Sequence, residues 1–161
     1  MKTMWAPWRM AYINEAKKAR KGDCFLCDIF RSRKDRSNFV LKRGKTCVVI
    51  FNRYPYSSGH LMVAPIRHVA TLDAMKPAET LEMMALVNES VSLLKKCIHP
   101  HGFNIGVNLG EVAGAGLKDH VHMHIVPRWR GDTNFMPVLA DVKIIPQSLE
   151  ALWKQLKKAM G

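Results

Sequence analysis

Apolar and polar positions along this chain switch between two periods. From residue 120, the stretch HVHMHIVPRW separates His120, His122 and His124 by Val121, Met123 and Ile125, and a period of two is that of a β-strand with one buried face. Upstream, FVLKRGKTCVVIFN reads as two strands joined by a tight turn at Gly44-Lys45. HLMVAP reads as a third strand ended by Pro65, and GFNIGVNL as a fourth. Between the third and fourth the period changes. Met84, Val87, Val91, Leu94 and Ile98 step by 3, 4, 3 and 4, the spacing of one helical face, in a helix that Pro77 opens and HPHG ends. Two shorter helices are predicted at the ends. WRMAYINEAKKAR is stopped by Gly22, and SLEALWKQLKKAM has Ser148 as its N-cap. Together these predict an α+β fold: an antiparallel sheet of about five strands, one long central helix, a short N-terminal helix and a C-terminal helix, with the helices to one side of the sheet.

A chain of 161 residues suits one domain, 1–161. It divides into a basic segment, 1–45, a core, 46–130, and an extension with a helix, 131–161. The net charge is +12, and the first 45 residues hold 13 of the 25 Lys and Arg but only 4 of the 13 Asp and Glu. Such a segment attracts phosphate-bearing partners. No aromatic residue interleaves its runs KARKGD and RSRKDRS, so nucleic acid is not the expected partner. No apolar run approaches the ~20 residues needed to span a bilayer, and MKTMWAPWRM lacks the apolar segment of a signal peptide. The expectation is a soluble, cytoplasmic protein with no membrane partner.

Four cysteines without an export signal argue against a disulfide framework. Cys47 and Cys97 lie in apolar patterns and read as small buried hydrophobes. Cys24 and Cys27 form a C-x-x-C, a spacing that lets both thiolates grip one zinc ion. They are half of a tetrahedral set. The rival is a redox pair, which needs a strand before the motif and a helix after it, and a basic polar stretch ending in Gly22 precedes it here.

On a strand, His120, His122 and His124 project from one face and the alternating Val121, Met123 and Ile125 from the other, which is the core side. Two chemistries use such a row. Imidazoles ligate metals, or one imidazole is a nucleophile whose neighbours orient it and handle protons. The preceding loop, GEVAGAGLKD, has Gly110, Gly114 and Gly116 to turn backbone N–H groups inward as an anion nest, with Lys118 close by. A nest beside a neutral imidazole suits attack on phosphorus.

His120-Val-His122-Met-His124-Ile-Val126, with NLGEVAGAGLKD before it and YPYSSGHLMVAPIRHV upstream, resembles the histidine-triad (HIT) superfamily over nearly the whole chain. MWAPWRMAYI and RGDTNFMPV resemble the branch that contains bacterial diadenosine tetraphosphate phosphorylases. The resemblance implies a HIT-like fold and cleavage of dinucleoside polyphosphates, by phosphorolysis or hydrolysis, through a nucleotidyl-histidine intermediate. A nucleoside phosphoramidase or nucleotide-monophosphate hydrolase is the alternative enzyme, and a non-catalytic nucleotide-binding module the alternative of another class. It further implies that His122 is the nucleophile, with His124 beside it contacting phosphate and assisting proton traffic. Asn108 corresponds to the Asn that touches phosphate and Asn52 to the position that contacts the nucleoside; His60 falls beside the triad with no assigned role. A structural zinc held by Cys24, Cys27, His68 and His120 is implied, as is a homodimer. The loop from Gly114 to Asp119 is one residue longer than the common pattern and lacks its Gln or Ser, so Gly116 N–H or Lys118 is expected to substitute. Trp129, Tyr54 and Tyr56 are candidates for stacking on a base or for plain packing. His99 and His101 read as structural at a helix end.

Overall fold

The computed structural model describes residues 24–132 and 145–161. Five strands form one antiparallel sheet: β1 (Val40–Arg43), β2 (Cys47–Phe51), β3 (Leu61–Pro65), β4 (Gly102–Val107) and β5 (Met123–Arg128), in the order β1-β2-β3-β5-β4. Helix α1 (Phe25–Ser32) precedes β1, α2 (Pro77–Ile98) links β3 to β4, and α3 (Leu149–Met160) closes the chain. The α+β class, the five strands and the bounds of the long helix agree with the sequence reading. Ser148 caps α3 as expected, its hydroxyl accepting from Ala151 N–H at 3.2 Å.

The two faces of the sheet are covered differently. On β2, Cys47, Val49 and Phe51 join Leu61 and Val63 of β3 and Ile125 of β5 in a core under α2 and α3. The intervening Val48, Ile50, Met62 and Ala64 pack with Leu26 and Phe30 of α1 on the other face. The expected one-sided arrangement is therefore corrected, because a helix that hydrophobic periodicity did not reveal packs on the second face. At 8 residues, α1 is too short to be stable alone. Leu26 and Phe30, four apart and 0% and 5% exposed, bind it to the sheet. The short helix read over WRMAYINEAKKAR lies outside the described residues.

The buried stripe of α2 is also rotated from the expected one. Met83, Leu86, Val87, Ser90 and Leu94 are buried, whereas Met84 is 44% exposed. Adjacent methionines satisfy either stripe on spacing alone, and the sheet selects Met83. A carboxylate stitches this helix to the β1–β2 turn. Glu82 accepts from the N–H groups of Lys45 (2.7 Å), Thr46 and Cys47 (2.8 Å) and from the Thr46 hydroxyl. Gly44 permits the approach, since a Cβ there would lie 2.6 Å from Glu82 Oε1.

Burial opposes ionisation of Glu82, but the four donors outweigh it and hold its pKa at about 2 against an ordinary 4.5. The folded value lies below the unfolded one, so this stabilisation is full above about pH 4.5 and is lost as pH falls toward 2. Glu82→Gln is expected to lower stability at neutral pH, because its amide turns donors toward donors. It should also flatten the loss of stability between about pH 5 and about pH 3, measured by urea unfolding. A variant with the wild-type acid profile contradicts this role.

Candidate functional site

Residues 121–125 keep the alternation of a strand although the β5 ladder begins only at Met123. Val121 and Ile125 are in the helix-covered core and Met123 packs against it, so the histidines face the other way, as read from the sequence. Ahead of the ladder the chain pairs differently: Val121 N–H donates to Val69 O at 2.7 Å, on the loop after β3. The three imidazoles then separate into two groups.

His120 turns to the cysteines. Its Nδ1 lies 3.2 Å from Cys24 Sγ and 3.6 Å from Cys27 Sγ, and His68 Nδ1 lies 3.4 Å from Cys27 Sγ. All four donor atoms lie within 4.8 Å of one another. A tetrahedral ion with bonds of about 2.0–2.3 Å has ligand–ligand edges of roughly 3.3–3.8 Å, close to the three shorter separations of 3.2, 3.4 and 3.6 Å. His120 Nε2–H donates to Pro65 O at 2.8 Å, which leaves Nδ1 as the lone pair facing the cluster. Burial chiefly, with help from the Cys27 side chain, pushes the Cys24 thiol up to about 11. A bound cation reverses that preference by stabilising thiolate. The four residues thus come together as a candidate metal-ligand cluster, the same four that the family resemblance singles out. Cys24 is the N-cap of α1 and Cys27 lies in its first turn, so the motif leads into a helix rather than a free knuckle.

His122 and His124 form the second group, with ring centroids 4.8 Å apart at 74°. His122 Nδ1 lies 2.8 Å from His120 O. A carbonyl only accepts, so Nδ1 carries the proton and Nε2 is left with a lone pair. Burial drives the His122 pKa down, with the carbonyl bond opposing it in part. The ring is therefore neutral near pH 7.

His60 extends this group. It is 0% exposed, and its Nδ1 accepts the Tyr56 N–H at 3.0 Å. Its proton therefore sits on Nε2, which donates to His124 Nδ1 at 2.9 Å. His124 in turn carries its proton on Nε2. Tyr56 stacks on His60 at 4.9 Å. Gly59 sets the approach, since its φ of +77° suits glycine and a Cβ would lie 2.8 Å from Ile98 Cδ1. Sequence reasoning noted His60 without a role; its only local signal is a Gly-His pair opening a fully buried strand.

The remaining expected site residues are placed less uniformly. Asn52 adjoins His60, with Nδ2 3.4 Å from His60 Nδ1, while its Oδ1 accepts from Tyr54 N–H. Asn108 reaches across the glycine loop to Gly114 O at 3.5 Å. The nest differs from expectation. Gly114 N–H donates to Glu111 O and Ala115 N–H to Gly110 O, so these two groups close the loop on itself. Gly116 and Lys118 are exposed and neither hydrogen-bonds to the imidazoles. Between them, Leu117 packs against the α1 cluster. No described helix is long and apolar enough to cross a membrane.

A family model described as HIT domain matches residues 33–131. An AP-4-A phosphorylase of Mycobacterium tuberculosis is 38% identical over 154 residues, 92% of this chain and 79% of that protein. A bis(5'-nucleosyl)-tetraphosphatase (asymmetrical) of Schizosaccharomyces pombe is 32% identical over 93 residues, 58% of this chain and 50% of that one. A zinc-bound histidine triad family protein from Mycobacterium smegmatis superposes with a TM-score of 0.69 at 23% identity, covering 86% of this chain and 93% of the other.

The hydrogen bonds fix three tautomers. At neutral pH, ¹⁵N-correlated NMR is expected to find His122 protonated on Nδ1, and His60 and His124 on Nε2. A proton on His60 Nδ1, or on His122 Nε2 alone, contradicts the arrangement.

Proposed function

The chain belongs to the HIT domain family, and from that premise we propose that it cleaves dinucleoside polyphosphates of the diadenosine tetraphosphate type by nucleotidyl transfer through His122. The observation that carries this is the commitment of His122 Nδ1 to His120 O in a buried, neutral ring. It leaves Nε2 as a nucleophile that needs no separate base. In this reading Nε2 attacks the α-phosphorus, a P–N bond forms, and the P–O bond to the polyphosphate breaks. His124 Nε2–H stabilises the departing oxygen. Inorganic phosphate then attacks the nucleotidyl-histidine, forming ADP and returning His122 to its neutral form; water in its place would give AMP. The 38% identity to a protein called AP-4-A phosphorylase favours phosphate as the acceptor.

Asn52 is assigned to the nucleoside, and Asn108 with the loop at Gly114, Gly116 and Lys118 to phosphate. Because Gly114 N–H is bonded within the loop, contact with phosphate falls to Gly116 and Lys118, whose exposure leaves them accessible. The metal is read as zinc held by Cys24, Cys27, His68 and His120. Four protein donors leave no open position, so the ion supplies folding energy and no chemical step. Residues 1–161 are taken as one cytoplasmic domain, a compartment in which the four free thiols stay reduced. A homodimer is read from the family and supported by edge strand β4, whose Ile105 is 46% exposed.

Product analysis tests the reaction. Diadenosine tetraphosphate with inorganic phosphate is expected to give ADP and ATP, with far slower cleavage when phosphate is omitted. AMP and ATP at the same rate in water alone would make the protein a hydrolase. His122→Ala is expected to lose up to ~10⁶-fold in kcat while nucleotide binding survives. Rapid quench should trap an acid-labile, base-stable nucleotidyl-protein in the wild type. If His122→Ala keeps more than about a hundredth of the activity, His122 acts as a general base at most.

A further inference from the structure

His68 differs from the other members of the metal cluster. Cys24 and His120 are buried, and Cys27 is part-buried on α1. His68 is exposed, on the loop between β3 and α2, where its ring meets His120 edge-on at 5.2 Å. An exposed side chain on a loop must give up backbone and rotamer freedom to ligate an ion. That loss is small only if the loop is already fixed by its neighbours.

Both neighbours of His68 are clamped. On one side, buried Val69 accepts Val121 N–H through its carbonyl at 2.7 Å, which joins the residue after His68 to the residue after His120. On the other, Arg67 donates from Nε and Nη2 to the two carboxylate oxygens of Glu79 at 2.9 and 2.7 Å, and from Nη2 to Ala74 O at 2.8 Å. The Glu79 side chain is 6% exposed and also accepts Lys76 N–H at the start of α2. The planar guanidinium fork therefore spans the loop from Arg67 to the helix that ends it.

We propose that the Arg67–Glu79 pair is the positioning device of the metal ligand His68, holding the exposed imidazole over the cluster by fixing the residue before it. This rests on the four-ligand reading above. Neither residue touches the ion. A purely structural role, capping α2, would use the same hydrogen bonds, and the two are separable because Glu82 stitches the same helix to the β1–β2 turn instead.

The test uses the full chain loaded with Co²⁺ in place of Zn²⁺, as wild type, Glu79→Gln, Glu82→Gln and His68→Ala. Two quantities are read: the visible absorption of tetrahedral cobalt, and the rate at which the metal passes to a chromogenic chelator. Glu79→Gln is expected to release metal about tenfold faster or more, within the range known for residues that support ligands. Its cobalt spectrum should move toward that of His68→Ala. Glu82→Gln, though less stable, should release at the wild-type rate. If Glu79→Gln does not fold, Arg67→Met replaces it, since the Arg67 side chain is 40% exposed. Wild-type spectrum and release rate in Glu79→Gln or its replacement would overturn the proposal, as would equal acceleration in Glu82→Gln. A wild-type chain that takes up no cobalt would overturn the four-ligand reading itself, and the proposal with it.

Discussion

An imidazole has two nitrogens, and in this site the protein commits one of each pair. His120 gives Nε2–H to the Pro65 carbonyl, His122 gives Nδ1–H to the His120 carbonyl, and His60 accepts from Tyr56 N–H. What remains on each ring is then decided: a lone pair of His120 toward the cysteines, a lone pair on His122 Nε2, and a relayed proton on His124. Backbone groups are the partners in all three cases, so the chemistry is written into the path of the main chain. A side-chain substitution elsewhere cannot easily reassign it.

In the proposed reading, the short segment 120–124 joins two functions that need opposite surroundings. A metal cluster favours anionic thiolates and four inward donors, whereas nucleotidyl transfer needs a neutral nucleophile open to an anionic substrate. Period two puts all the histidines on one face, but the change of pairing partner from Val69 to the β3 and β4 ladders lets their rings diverge. The cluster also brings the start of α1 against His120, two residues before His122. Leu117 packs against α1 from the glycine loop, so the Cys/His cluster, the helix and the loop are contiguous.

Much of this was legible in the chain itself. Alternation at 120–125 gave the strand and the inward side of Val121 and Ile125, and Pro77 with HPHG bounded the long helix. The readings of Cys24, Cys27, His68 and His120 as metal ligands and of His122 and His124 as the reacting pair came from the family resemblance, and the structure brings the members of each set together. Helix α1 was not legible, because eight residues starting inside a C-x-x-C are too few for a periodic signal. The choice of Met83 over Met84 needed the sheet. Loop closure through Gly114 and Ala115 and the clamp from Arg67 to Glu79 depend on hydrogen bonds, and hydrophobic patterning carries no record of those.

The central claim is that an imidazole nitrogen, rather than water or phosphate, first attacks the phosphorus. Stereochemistry measures this directly. A dinucleoside polyphosphate made chiral at the α-phosphorus with sulfur in one non-bridging position is cleaved by the enzyme, and the configuration of the product is read by ³¹P NMR or stereospecific enzymatic analysis. Attack on phosphorus inverts configuration, so transfer to His122 followed by transfer to the acceptor restores it. Retention is the predicted result. Inversion would mean a single displacement and would contradict the account.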